Sequence, residues 1–440
     1  MTAINKIKNA LLIYSTPRLL VIFFLGVSSG LPLTLVLSTL SFWLTTKGLS
    51  KSTIGLFAIL TTPYLFKFLW APFVDRLPLP ILTKLFGRRR AWLYLSQAFL
   101  ISSIIGLGSS SPLEDLAFTA WMAFFVALFS ATQDIVIDAY RIEILKKDEQ
   151  GAGAAMIIFG YRTGNLLAGF VALLIAGSFG FMMAYWAMAL LVLTGTFAAI
   201  VYGEPKNQEI KKVEKVGEGL NKFALLKVWF LKAVIDPFRD FTKRNYWFLI
   251  LFFVILYKVG DAIAAAMTPP FIVDMGFSLE EAAWANKMVG FWALMIGTYI
   301  GGSLIFWVGL FRALMISGIL MMVSNLSFAV LAGVGYNVPL LVFTIGFENF
   351  ATGIGLSVFV AYLSGLCNVA YTATQYALLS SLMAVGRTWI SGTSGFMVEA
   401  WGWVNFFLFT TAAAIPGLVV LYFLWKWGFR PDDAKEEAPS

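Results

Sequence analysis

Apolar residues run through this sequence in stretches too long for the core helices of a soluble domain and too unbroken for strands. Six stretches cover 18–44, 53–74, 91–110, 116–141, 152–176 and 181–202. A polar segment, 203–244, separates them from six more at 245–273, 281–307, 311–333, 338–366, 371–397 and 403–427. A hydrocarbon core about 30 Å thick is crossed by roughly 20 apolar residues in helical form. None of the stretches shows the two-residue alternation of a barrel strand, so helices are expected. The pattern predicts an all-α integral membrane protein with twelve transmembrane helices.

Composition agrees. Hydrophobic residues make up 59% of the 440 and charged residues 13%, against about 25% charged in soluble domains; mean hydropathy is +0.82. The net charge of +8 would suggest nucleic acid in a soluble protein, but here the positive-inside rule explains it. With both termini in the cytoplasm, only Lys47 and Lys51 fall outside, while Lys67, Arg162, Lys258, Lys287 and Arg387 sit within spans. The other basic residues collect on the cytoplasmic side. No small-residue cleavage site follows a short apolar region, so no cleavable signal is expected at the N-terminus. The chain has no His and one Cys, Cys367. A disulfide framework and a Cys-rich metal site are therefore excluded, and no metal or cofactor is expected. A membrane-embedded enzyme would need a nucleophile–base pair that this sequence does not offer.

The two sets of spans echo each other. Gly48-Leu49-Ser50 joins the first span to the second, and Gly276-Phe277-Ser278 joins the seventh to the eighth. Tyr161-Arg162 in the fifth span matches Gly386-Arg387 in the eleventh. Ser278 with Glu281 reads as a capping box. The expected organisation is a six-helix bundle over 1–202, a cytoplasmic linker over 203–244 and a second six-helix bundle with its tail over 245–440. This arrangement resembles the major facilitator fold. Within the linker, Leu225, Leu226, Trp229 and Phe230 alternate with Lys227 and Lys232, which suits either a helix lying in the membrane interface or an ordinary solvated segment.

Charged residues within the spans carry the chemistry. A charge at mid-membrane costs roughly 3 kcal/mol or more and usually faces a cavity and a partner. The fourth span holds Gln133, Asp134 and Asp138, with the two acids on one face. The fifth holds Arg162 and Asn165, the seventh Lys258 and Asp261, the eighth Asn286 and Lys287. Glu348 and Asn349 lie in the tenth, Gln375 and Arg387 in the eleventh. Two readings stand side by side: ion pairs that lock helices, such as Lys258–Asp261 or Arg162–Asp134, and a polar cavity. In the second, cations bind substrate carboxylates and one of Asp134, Asp261 and Glu348 carries a coupling proton, since without His a proton path rests on carboxylates. Tyr161 and Tyr257, beside these charges, could stack on a sugar.

The loop after the second span reads Asp75-Arg76, then a stretch ending in Gly87, then Arg88-Arg89-Arg90. It resembles the cytoplasmic signature of the major facilitator superfamily, Gly-x-x-x-Asp-Arg-x-Gly-Arg-Arg, with Ala71 at the first Gly and an insertion before the second. The resemblance implies a latch of Asp75, Arg76 and Arg88: Asp75 caps a neighbouring helix or pairs with Arg88, and Asp138 is another candidate partner.

A narrower resemblance runs from about Pro17 to Pro416. Phe66-Lys67-Phe68-Leu69-Trp70-Ala71-Pro72, Gln133-Asp134-Ile135-Val136-Ile137-Asp138-Ala139 and Gly160-Tyr161-Arg162 mark the first half. Leu256-Tyr257-Lys258-Val259-Gly260-Asp261, Phe347-Glu348-Asn349, Ala373-Thr374-Gln375-Tyr376-Ala377 and Val385-Gly386-Arg387 mark the second. Together they resemble the AmpG-type muropeptide permeases. That resemblance implies proton-coupled import of anhydro-muropeptides, GlcNAc-1,6-anhydro-MurNAc with or without peptide, from periplasm to cytoplasm for peptidoglycan recycling. It implies a multi-pass protein of the bacterial inner membrane, working as a monomer with muropeptide, protons and membrane lipid as its partners and no nucleic acid. Arg162, Lys258 and Arg387 suit peptide carboxylates; Gln133, Asn165, Asn286, Asn349 and Gln375 suit sugar hydroxyls and N-acetyl groups. The alternatives are a paralogue carrying another sugar, peptide or acyl-CoA, and a sensor that does not transport.

Overall fold

The computed structural model describes residues 14, 16–49, 53, 56–205, 235–391 and 394–429. Among these residues the secondary structure is entirely helical. Ten of the described helices are long and apolar enough to cross a membrane. In chain order the helices are α1 (Pro17–Thr46), the broken run α2 (57–76), the short α3 (Leu82–Phe86), α4 (Arg88–Gly108), α5 (Leu116–Ile144), α6 (Gln150–Phe179) and α7 (Phe181–Tyr202). There follow the short α8 (Asp236–Thr242), α9 (Trp247–Asp274), α10 (Glu280–Val308), α11 (Leu310–Val334), α12 (Val338–Gly365), α13 (Thr372–Ser391) and α14 (Ser394–Lys426), the last broken at Gly402, where the backbone turns left-handed. The amphipathic stretch of the linker, Leu225 to Lys232, lies outside the described residues.

The predicted second span departs most from a regular helix. The run α2 passes through tight 3-10 turns at Phe57–Thr61 and Lys67–Leu69, with short α-helical pieces at Pro63–Phe66 and Ala71–Arg76. Pro63 and Pro72 lack the amide protons that a continuous ladder requires. A second break falls at Tyr257–Lys258, where α9 stops at Leu256 and restarts at Val259. Wider π turns interrupt α1 at Leu35–Thr39, α6 at Leu167–Val171 and α10 at Trp284–Gly290. Helix starts follow side-chain chemistry. Asp115 accepts from the Phe118 amide at 2.8 Å. The Ser278–Glu281 capping box closes in both directions, at 3.2 and 2.8 Å.

The turns repeat between the two halves of the chain. Left-handed glycines stand at Gly48 and Gly276, Gly87 and Gly309, Gly180 and Gly402, so corresponding helices are entered through the same backbone geometry. Buried apolar residues form four clusters, two drawn mainly from each half. Small residues bring α1 and α6 together: a Cβ at Gly164 would stand 3.1 Å from the Gly30 Cα, as expected of membrane helices that associate through close packing.

Contacts between the halves gather at the end of the molecule that carries the basic loops. Val360, Ala361, Ala373 and Ala377 pack into the first half's core, and a Cβ at Gly302 on α10 would lie 2.8 Å from the Gly151 carbonyl oxygen on α6. Tyr14, just before α1, crosses this seam. Its hydroxyl donates to the Tyr299 carbonyl at 3.1 Å, and its ring meets Tyr299 edge-on at 4.9 Å. Burial pushes the Tyr14 phenol up to about 12, so it remains a neutral donor throughout the neutral range.

Candidate functional site

The basic-end seam is held by a lock of charges. Asp75, buried at the end of α2, accepts from the Ala373 amide at 3.1 Å and from the Thr374 amide and hydroxyl, both at 2.7 Å. A carboxylate from the first half thus satisfies the free amides and positive dipole end of α13 in the second. Arg89, fully buried, donates to Asp75 at 2.8 Å and reaches both oxygens of Glu143 through Nε at 3.1 Å. This corrects one sequence expectation: the capping role of Asp75 is present, but its charge partner is Arg89, while Arg88 donates to the Asp75 backbone carbonyl. Arg76 lies over the Tyr371 ring at 5.0 Å. Asp138 is not among Asp75's partners. It faces Lys67 at 3.9 Å and Arg141 at 3.8 Å. Sequence reading missed Glu143, whose place on the last turn of a span makes it look solvated.

Within the spans lie two further sets of charged residues, one in each half. In the first half, Asp134 on α5 accepts from Ser29 on α1 at 2.6 Å, with Lys67 and Asp138 nearby. In the second, Thr352 on α12 donates to Glu348 at 3.4 Å, with Asp261 on α9 close to both. Asn349 donates to Glu348 at 2.8 Å. Lys258 lies within Coulombic reach of Asp261 and Glu348, and Arg162, from α6 of the first half, within reach of Glu348. Arg162, Lys258, Asp261, Glu348 and Asn349 are all half-buried, as lining residues of a polar cavity would be. The break in α9 at Lys258 places Asp261 in the first turn of the restarted helix.

The remaining predicted residues lie elsewhere. Gln133, fully buried, accepts from the Ser28 hydroxyl at 3.1 Å and donates to the Ser28 carbonyl at 3.3 Å, which makes it a knot between α5 and α1. Asn165 accepts from Thr34 at 3.1 Å, and Tyr161 is close to Tyr64. Tyr257 stacks on Phe359 at 4.9 Å, and its hydroxyl donates to the Leu314 carbonyl at 2.9 Å. Gln375 belongs to the basic end, where it donates to Asp240 at 2.8 Å and accepts from the Asn368 amide at 2.7 Å. In this conformation Gln133, Tyr257 and Gln375 therefore spend their polar atoms within the fold. Asn286 is exposed on the π turn of α10. The side chains of Lys287 and Arg387 lie outside the described residues.

Membrane-length helices, with half-buried acids and cations between two repeated halves, define a membrane transport protein. The chain belongs to the major facilitator superfamily, which it matches over residues 22–347. It is 40% identical over 411 residues to the anhydromuropeptide permease of Escherichia coli strain K12, covering 93% of this chain and 80% of that one. It is 34% identical over 415 residues to the putative transporter AmpG 4 of Rickettsia felis, covering 94% and 98%. These relatives are permeases and transporters rather than enzymes, and the chain is a multi-pass protein of the bacterial inner membrane. In fold it is similar to the proton:xylose symporter XylE bound to 6-bromo-6-deoxy-D-glucose, with a TM-score of 0.65 at 14% identity, covering 93% of this chain and 95% of that one. A double-tryptophan XylE mutant gives 0.67 at 15% identity, covering 96% and 98%.

Proposed function

We propose that this protein imports anhydromuropeptides into the cytoplasm, driven by the inward proton gradient, with 1–202 and 245–440 rocking about a mid-membrane site as two six-helix bundles joined by 203–244. The observation that carries the reading is the meeting of Arg162 from the first half with Lys258, Asp261, Glu348 and Asn349 from the second. Cations from both halves can hold the carboxylates of a peptide stem, and Asn349 and Asn165 offer carboxamides to N-acetyl sugars. Glu348 and Asp261 stand beside those cations, so a cargo carboxylate competes with them for the same positive charge. Protonating one acid frees a cation for cargo, and cargo release frees the cation to take back its acid. The cargo class rests on the 40% identity to a permease of that name.

The relation to alternating access follows from the lock. With the basic end taken as cytoplasmic, as the positive-inside rule requires, Asp75 on α13 and Tyr14 on α10 hold the inner side shut while the cavity faces outward. The test is uptake of labelled anhydromuropeptide, and of the sugar-only anhydro-disaccharide, by the purified protein in proteoliposomes with and without an imposed proton gradient. Accumulation stimulated by the gradient supports the reading and ranks the two cargoes. Folded, oriented protein that moves neither cargo would overturn it in favour of a paralogue with another cargo or a sensor.

A further inference from the structure

Arg141 belongs neither to the Asp75 lock nor to the group around Glu348. It lies on α5, three residues past Asp138, and is fully buried. Its guanidinium stands 5.3 Å from the centroid of the Tyr376 ring on α13, so it sits in the seam between the halves. Among the described residues its ion-pair partner is Asp138, at 3.8 Å, and its other polar neighbour is the Tyr376 hydroxyl, so no second carboxylate holds it. The contrast with Arg89 is sharp, because that guanidinium, on the same side of the molecule, is held by two carboxylates and the Val74 carbonyl. Asp138 is moreover shared, since Lys67 on α2 faces it at 3.9 Å. The other titratable groups around Asp138 are Asp134, one turn away on α5, and Tyr376 on α13; Tyr64 of α2 lies beyond, beside Asp134.

We propose that Asp138 and Arg141 form a proton-read switch on the basic-end seam. An ionised Asp138 permits Arg141 to be buried against α13, and the seam stays shut. A proton on an Asp138 carboxylate oxygen removes the counter-charge of Arg141, while Lys67 still has Asp134 beside it. A buried cation that loses its partner strongly disfavours the state that buries it, and here that state is the closed seam. The inference rests on the proton-driven reading above and assigns the place where the proton acts on the gate. Arg141 is a positioning residue in this scheme, since it contacts no cargo.

The test reads the seam without cargo. In a full-length Cys367→Ser background, Ala377→Cys places a thiol on the face of α13 that packs into the first half. Labelling by a membrane-impermeant maleimide is followed in inside-out vesicles as pH is lowered. Because the thiolate is the reacting form, each rate is divided by that of the same thiol in SDS-unfolded protein at the same pH, and this ratio is expected to rise several-fold on the acid side. Asp138→Asn is expected to label fast at every pH. Arg141→Gln, and the double variant with Asp138→Asn, are expected to label slowly at every pH, while Arg141→Lys, which keeps the charge, retains the pH response. Should Asp138→Asn or Arg141→Gln keep the parent's pH profile, the switch is wrong. Cargo uptake measured on the parent separates the two readings: a pH-gated seam with no muropeptide flux defeats the cargo assignment and leaves the switch standing.

Discussion

At the residue scale, what matters is whether each buried charge has a partner. Arg89 lies between Asp75 and Glu143, so Arg89→Ala strands two buried carboxylates, and breaking a buried pair in this way costs about 3–5 kcal/mol. The expected outcome is a large loss of folded protein, read by thermal denaturation in detergent, with Arg89→Lys in between because it keeps the charge but not the fork. Arg162→Gln should do the opposite: protein reaches the membrane and denatures like the parent, but uptake is lost. Wild-type uptake by that variant would remove Arg162 from the cargo site. Asp75 is legible as a cap only through its resemblance to the cytoplasmic signature of the superfamily, which leaves capping and pairing with Arg88 as alternatives. The sequence does not tell Arg88 from Arg89. Consecutive helical residues point about 100° apart, and only the packing of α4 against α5 decides which guanidinium turns inward. Gln133 and Gln375 look like cavity residues for a related reason: a carboxamide that ties two helices and one that binds a sugar have the same sequence signature.

At the scale of elements, hydropathy marks where helices run but not where they break. Ten described helices reach membrane length, close to their expected bounds, yet the interruption at Tyr257–Lys258 and the three π turns leave no mark on an apolar profile, because each adds or removes a single backbone hydrogen bond. The capping box is legible because it depends on two side chains three residues apart. Ser278→Ala should lower the melting temperature modestly, by the equivalent of about 1 kcal/mol, without affecting uptake. A larger loss would mean that the start of α10 carries more than its own cap. Close packing makes the reverse case. Gly164→Leu drives a side chain into α1 at Gly30, where even a Cβ stands at 3.1 Å, and should abolish monodisperse protein on size-exclusion chromatography.

For the whole molecule, the repeated turn glycines and the seam describe two similar bodies that meet tightly at one end. Gly302→Val tests that seam without touching a charge. Its side chain would meet the Tyr14 hydroxyl at 2.7 Å and the Gly151 carbonyl at 2.8 Å, so it should wedge the basic end open, increase thiol labelling there and reduce net import while each half stays folded. Unchanged labelling would mean that α6 and α10 yield locally instead of parting. The crossing made by Tyr14 also has a bearing on how the protein is handled. A bulky fusion placed ahead of it loads the contact between Tyr14 and Tyr299 and is expected to shift the resting conformation. A fusion after α14 trails from a helix away from that contact, so paired N- and C-terminal fusions of one fluorescent protein would differ in transport rate even at equal expression.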